Sequence, residues 1–158
     1  MTARGTAADP FEILLVEDNP ADVDLVLEAL RESELPSHHV TVASDGEEAM
    51  AVLRREGKFA GAPAPDIVLL DLNLPRKDGR EVLAEMRADP ALTHLPVLVL
   101  TSSEAERDLL HVYRLHGNCF ISKPVDLTQF FQVIHAVESF WLKVARLPPR
   151  PRDSRLGA

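Results

Sequence analysis

Four apolar runs in this chain end directly in residues that carry a charge or a hydroxyl. Glu17-Asp18 follow Ile13-Leu14-Leu15-Val16, Asp71 follows Ile67-Val68-Leu69-Leu70, Thr101-Ser102 follow Val97-Leu98-Val99-Leu100, and Ser122-Lys123-Pro124 follow Cys119-Phe120-Ile121. Brought to one place, the three carboxylates would repel one another in a partly dehydrated cleft, so positive charge must offset them. Lys123 supplies one such charge. A hard divalent cation with oxygen ligands supplies the rest: Mg²⁺ keeps several waters and takes one or two carboxylates plus a phosphate oxygen, with Mn²⁺ or Ca²⁺ as other ions of the same class. The expected ligands are Asp18 and Asp71 directly and the Asn73 main-chain carbonyl, with Glu17 holding a metal-bound water.

That set of groups suits phosphoryl transfer, which asks a protein mainly for positioning and charge neutralisation. Asp71 is the expected nucleophile, a carboxylate that forms an acyl phosphate and, being ionised at neutral pH, needs no general base. Lys123 and the cation face the equatorial oxygens, and the Thr101 hydroxyl and Ser102 amide donate hydrogen bonds to them.

The elements that must position these residues follow from the pattern. The four runs, with Val40-Thr41-Val42-Ala43 as a fifth, have strand length, and three are continuously apolar, as central strands of a parallel sheet covered on both faces are. Between them, helical spacing runs over Ala21–Ser33, Glu47–Glu56, Arg80–Ala88, Glu104–Leu115 and Leu127 to about Ala145. The alternation is (βα)₅, and helix-length crossovers predict a doubly wound parallel five-stranded sheet in a flavodoxin-like three-layer sandwich. In such a sheet ligands bind beyond the carboxyl ends of the strands, where strand order reverses, which is where all the polar residues above fall. Residues 11–147 form the domain, residues 1–10 a flexible arm and residues 148–158 a flexible basic tail. No linker divides the chain, and little remains after the last helix for a second domain.

With Glu17-Asp18, Asp71 in Leu70-Asp71-Leu72-Asn73-Leu74-Pro75, Asp78-Gly79, Thr101-Ser102 and Lys123-Pro124 in this order, the chain resembles the two-component response-regulator receiver family from about Phe11 to Phe140. The resemblance implies a histidine kinase as phosphodonor, a downstream protein of unspecified kind, and a switch. In it Thr101 moves toward the new phosphoryl oxygens and Phe120 turns inward, shifting an existing equilibrium at the face formed by the fourth helix, fifth strand and fifth helix. It also implies a cis peptide between Lys123 and Pro124, a bond that only proline makes cheap.

The last helix carries a narrower message. About 20 residues of helix span about 30 Å, whereas a five-residue strand spans about 17 Å, so its final turns overshoot the sheet. Those turns hold Phe140, Trp141, Leu142 and Val144, too apolar to leave bare on a soluble monomer, and predict a homodimer interface through Phe140, Trp141 and Val144. Packing of Phe140-Trp141 onto the domain's own core is the competing expectation. This ending, with Pro20-Ala21-Asp22, is similar to the stand-alone regulators of bacterial phytochrome histidine kinases.

Composition removes other classes. The 158 residues are 46% hydrophobic with a net charge of −8, which disfavours nucleic acid and anionic lipid; the Arg146–Arg152 stretch is proline-rich and aperiodic. No run reaches the roughly 20 apolar residues of a membrane span, and a cytoplasmic protein is expected. The lone Cys119 reads as a core thiol, and the six histidines lack ligand spacing. A Mg²⁺-dependent aspartyl-phosphate phosphatase is the alternative function, but that chemistry wants a second Asp two positions after the first, where Asn73 stands. A flavodoxin-like nucleotide binder would need a Gly-rich loop after the first strand, and Glu17-Asp18-Asn19-Pro20 has no glycine.

Overall fold

The computed structural model describes residues 10–32, 38–102 and 105–149. Five strands, β1 (Phe11–Val16), β2 (His38–Ala43), β3 (Ile67–Leu70), β4 (Val97–Thr101) and β5 (Cys119–Ser122), alternate with five helices, α1 (Pro20–Arg31), α2 (Gly46–Arg54), α3 (Gly79–Ala88), α4 (Glu106–Arg114) and α5 (Leu127–Val137). The strands form one sheet in the order β2-β1-β3-β4-β5, and every pairing is parallel. The order reverses between β1 and β3, which makes the crevice above those two strands the binding position of an open α/β sheet.

The continuously apolar strands are explained by two cores. Leu14, Val16, Val68, Leu70, Val97 and Val99 face α2 and α3, together with Val112 of α4. The alternate residues Ile13, Leu15, Ile67, Leu69, Leu98 and Leu100 pack against Val26 and Leu30 of α1 and Phe130 and Ile134 of α5. With both faces covered, neither parity of strand residue can be polar.

Strand limits extend past the apolar runs where the sheet supplies partners. His38 and His39 pair in register with Phe11 and Glu12, and the His39 ring lies 2.8 Å from a Glu12 carboxylate oxygen. Helix limits are set by caps. Asn19, Asp45, Asp78 and Asp126 accept first-turn backbone N–H groups of α1, α2, α3 and α5. Arg55 in the left-handed region ends α2. Ser33 and Glu104, expected helix ends, lie outside the described residues.

The predicted single last helix is correct in length and different in kind. After α5, Glu138–Val144 wind as a π-helix, closed by the Ala145 N–H donating to the Phe140 carbonyl five residues back at 2.7 Å. The wider turn splits the apolar ending. Leu142 is buried and Trp141 packs against the α1/α5 core, whereas Phe140 and Val144 remain exposed. Phe140 meets Trp141 edge to face at 5.6 Å. Trp141 is thus partly taken up by the domain's own core, as the competing expectation had it.

Two arginines of α3, seven positions apart, hold α4. Arg80 donates to both oxygens of Asp108, and Arg87 donates to the carbonyls of Leu115 and His116 just past the C-terminus of α4. Cys119 is half-buried among apolar side chains, and burial pushes its thiol pKa up. Among the described residues no helix is long and apolar enough to cross a membrane. The expected arm (1–10) and tail (148–158) lie outside the described residues apart from Pro10, Pro148 and Pro149.

Candidate functional site

Each element delivers its polar end to the crevice by a backbone contact with its neighbour. The Asp71 N–H donates to the Val16 carbonyl at 3.0 Å and so continues the β1–β3 ladder one residue beyond the strand. The Lys123 N–H does the same for β5, donating to the Thr101 carbonyl at 2.8 Å. Gly79 opens α3 against the acceptor loop: a Cβ there would lie 2.2 Å from the Asp71 carbonyl oxygen, so only glycine permits the approach.

The side chains then meet. One carboxylate oxygen from each of Glu17, Asp18 and Asp71 lies within 4.8 Å of the others, the first and last buried and Asp18 exposed. The Lys123 amine lies 2.5 Å from Glu17 Oε1, 2.9 Å from Asp22 Oδ2 and 3.3 Å from Asp71 Oδ2. Glu17 Oε2 accepts the Asn19 N–H at 3.2 Å, and Asp71 Oδ1 accepts the Asn73 N–H at 3.3 Å. Residues 17, 71 and 123, each just past the end of a different strand, thereby share one ion-pair network.

The charges are unbalanced. Burial pushes the Glu17 carboxyl up from 4.5 to about 7; the Lys123 hydrogen bond opposes the rise and the Asp71 charge adds to it. For Lys123, burial alone would lower the pKa, but the hydrogen bonds to Glu17 and Asp22 and the charge of Asp71 more than reverse it, and the amine stays protonated. Glu17, Asp22 and Asp71 face the ammonium, and Asp18 adds a fourth carboxylate to the cluster. Three clustered carboxylate oxygens, one of them solvent-accessible, are a donor set that fits a hard divalent cation.

Thr101 ends β4 fully buried, opposite Ser122 in register. Ser102 and Asn73 are exposed beside the crevice. Phe120 is half-buried against the core on the α2/α3 side and pairs with Val99. One expectation is corrected: no cis peptide bond occurs among the described residues, so Lys123–Pro124 is trans. Trans is the lower-energy isomer even before proline, and with it the Lys123 N–H and amine already reach Thr101 and the carboxylates.

Asp22 is the site residue that sequence reasoning missed. The signal was there: with Pro20 opening α1, residue 22 falls in the first turn, four residues after Asp18. Arg80 was missed too, and no local pattern shows it, because its partner lies 28 residues away.

Residues 13–135, which contain the whole network, match the response regulator receiver domain. The chain belongs to the response regulator receiver family. Response regulator Rcp1 of Synechocystis sp. is 47% identical to this receiver over 139 residues, 88% of this chain and 94% of Rcp1. The crystal structure of Mn²⁺-bound Rcp1 superposes with a TM-score of 0.85 over 89% of this receiver and all of that chain, at 46% identity. The phosphorylated cyanobacterial phytochrome response regulator RcpA is 54% identical with a TM-score of 0.85, covering 89% of this receiver and 99% of RcpA. The bacteriophytochrome response regulator AtBRR is 44% identical with a TM-score of 0.68, covering 87% and 99%. This receiver is therefore a response regulator of two-component signalling, similar to the regulators of phytochromes. The phosphatase alternative is not favoured: the position two after Asp71 is an Asn whose N–H donates back to the acceptor.

Proposed function

We propose that this receiver takes a phosphoryl group from the phosphohistidine of a phytochrome-type sensor kinase onto Asp71, and that the acyl phosphate changes the surface it offers a downstream protein. The observation that carries the reading is the Lys123 amine 3.3 Å from Asp71 Oδ2, beside the clustered oxygens of Glu17, Asp18 and Asp71. Asp71 attacks phosphorus, the P–N bond to the donor imidazole breaks, and the imidazole leaves with its electron pair. Lys123, held protonated, neutralises charge on the equatorial oxygens, and the Thr101 hydroxyl and Ser102 amide donate hydrogen bonds to them.

Asp18, Asp71 and the Asn73 carbonyl would hold the divalent cation, with Glu17 on a bound water. When bound, Mg²⁺ neutralises the carboxylates and polarises the phosphoryl oxygens. A Mn²⁺-bound form of Rcp1 supports this class of ion. The only chemistry the receiver catalyses is its own phosphorylation and dephosphorylation. Thr101 and Phe120 form the switch: Thr101 is buried at the strand end, and Phe120 is half-buried two residues short of the end of β5. A homodimer through the π-helical ending is part of the same proposal, with Phe140 and Val144 outward and the partly buried Trp141 beside them. A kinase partner that spends ATP sets this work in the cytoplasm.

The test is phosphorylation by acetyl phosphate with Mg²⁺, read by intact mass. Wild type gains one phosphoryl group and Asp71→Asn gains none while keeping its circular dichroism spectrum. Uptake by Asp71→Asn equal to wild type would refute the assignment.

A further inference from the structure

An ammonium has three N–H bonds, and in this receiver three carboxylates surround the one on Lys123: Glu17, Asp22 and Asp71. Two of the three have other duties in the reaction. Asp71 is the acceptor, and the oxygen it gives to phosphorus no longer carries a full charge. Glu17 belongs to the carboxylate cluster that would hold the cation. Asp22 stands outside that cluster and touches the acceptor only through Lys123.

We infer that Asp22 is a positioning residue for phosphoryl transfer, a fixed counter-charge that keeps the Lys123 ammonium at the cleft while Glu17 and Asp71 change partners. The inference rests on Asp71 being the phosphoacceptor.

The local structure suits that task. Asn19 Oδ1 accepts the N–H groups of both Ala21 and Asp22, at 2.9 and 3.4 Å, and Pro20 fixes the backbone at the start of α1. Asp22 therefore projects from a stiff first turn, where the helix dipole also favours a carboxylate. Lysine is the opposite case, a point charge on a flexible four-carbon stem. Its backbone is anchored to Thr101, but the stem reaches the acceptor only if the amine is held. The partner that holds it comes from α1, 101 residues earlier, and at 2.9 Å the contact is a charge-assisted hydrogen bond. The Asp22 side chain is 24% exposed against 9% for Lys123, so the pair is screened by water on the Asp22 side only.

The experiment measures the rate of phosphorylation by acetyl phosphate and the Mg²⁺ affinity in parallel. It compares wild type, Asp22→Asn, Asp22→Glu, Lys123→Ala and the double variant Asp22→Asn/Lys123→Ala. Loss of one charge-assisted contact is expected to slow Asp22→Asn about tenfold, with a much smaller change in Mg²⁺ affinity. Asp22→Glu, which keeps the charge, recovers part of that rate. The double variant matches Lys123→Ala, because a residue acting through Lys123 has nothing left to position. A wild-type rate in Asp22→Asn, or a further tenfold loss when Asp22→Asn is added to Lys123→Ala, overturns the proposal. Failure of wild type to accept a phosphoryl group would instead remove the phosphoacceptor reading and this inference with it.

Discussion

Arg80 and Asp108 join α3 to α4 through two parallel hydrogen bonds of 2.8 and 2.7 Å, the planar guanidinium lying across the carboxylate. Arg80 also donates to the Leu72 carbonyl at 3.4 Å, so the residue next to the acceptor and a helix of the exposed face are held by one side chain. The hydrogen bonds to Asp108 raise the Arg80 pKa further above its ordinary value.

Asp108 is 5% exposed and its partner 29%. Asp108→Asn keeps the volume and removes the charge, leaving Arg80 half-satisfied. Its expected cost is about 2 kcal/mol, below the range for a fully buried pair because Arg80 is partly solvated. Urea unfolding checks it through a lower midpoint at unchanged m-value; stability equal to wild type would show that the bridge contributes nothing net.

Glu17 gives the metal-free receiver a pH dependence of definite sign. Its carboxyl is raised from 4.5 to about 7 by burial first, so between those values the native state holds a proton that the unfolded chain releases. Stability therefore falls as pH rises from about 4.5 to about 7 and levels beyond, by on the order of 3 kcal/mol at most. The raised Lys123 pKa acts in the opposite region, its contribution intact until the pH passes the ordinary lysine value of 10.5. Thermal melts in a chelator should show the Glu17 slope, and Glu17→Gln should flatten it. Added Mg²⁺ should stabilise more at pH 8 than at pH 5, since ligand carboxylates must be deprotonated to bind it. Equal Mg²⁺ stabilisation at both pH values would count against a carboxylate metal site.

Phe140 and Val144 are 54% and 69% exposed on the π-helical ending, whereas Leu142 between them is 6% exposed. Charged substitutions at the two outward positions, rather than truncation, test the proposed dimer without disturbing the core, because cutting the chain before Phe140 would also strip Leu142 from the α1/α5 face. Phe140→Glu combined with Val144→Glu should give a monomer by sedimentation that keeps the wild-type circular dichroism spectrum. A dimer of undiminished mass would move the interface elsewhere.

Sequence alone carried the architecture because the evidence for it is local. Strand-length apolar runs, the helical spacing between them and the Asp78-Gly79 pair all act within a few residues, and each marks its element without knowledge of the rest. The parallel order then follows from crossover length, and the acids and the lysine fall at strand ends by the same count. What sequence could not supply were facts about direction and distance between elements. The period of Leu127–Ala145 is helical whether it winds as α or π, and only packing decided that Leu142 turns in while Phe140 turns out. The capture of Lys123 by Asp22 and the reach of Arg80 to Asp108 depend on where separate helices come to rest. Local chemistry determines which element a residue joins; the partner it finds there is a property of the tertiary packing, because the sheet sets the separation of the helices whose side chains meet across the crevice.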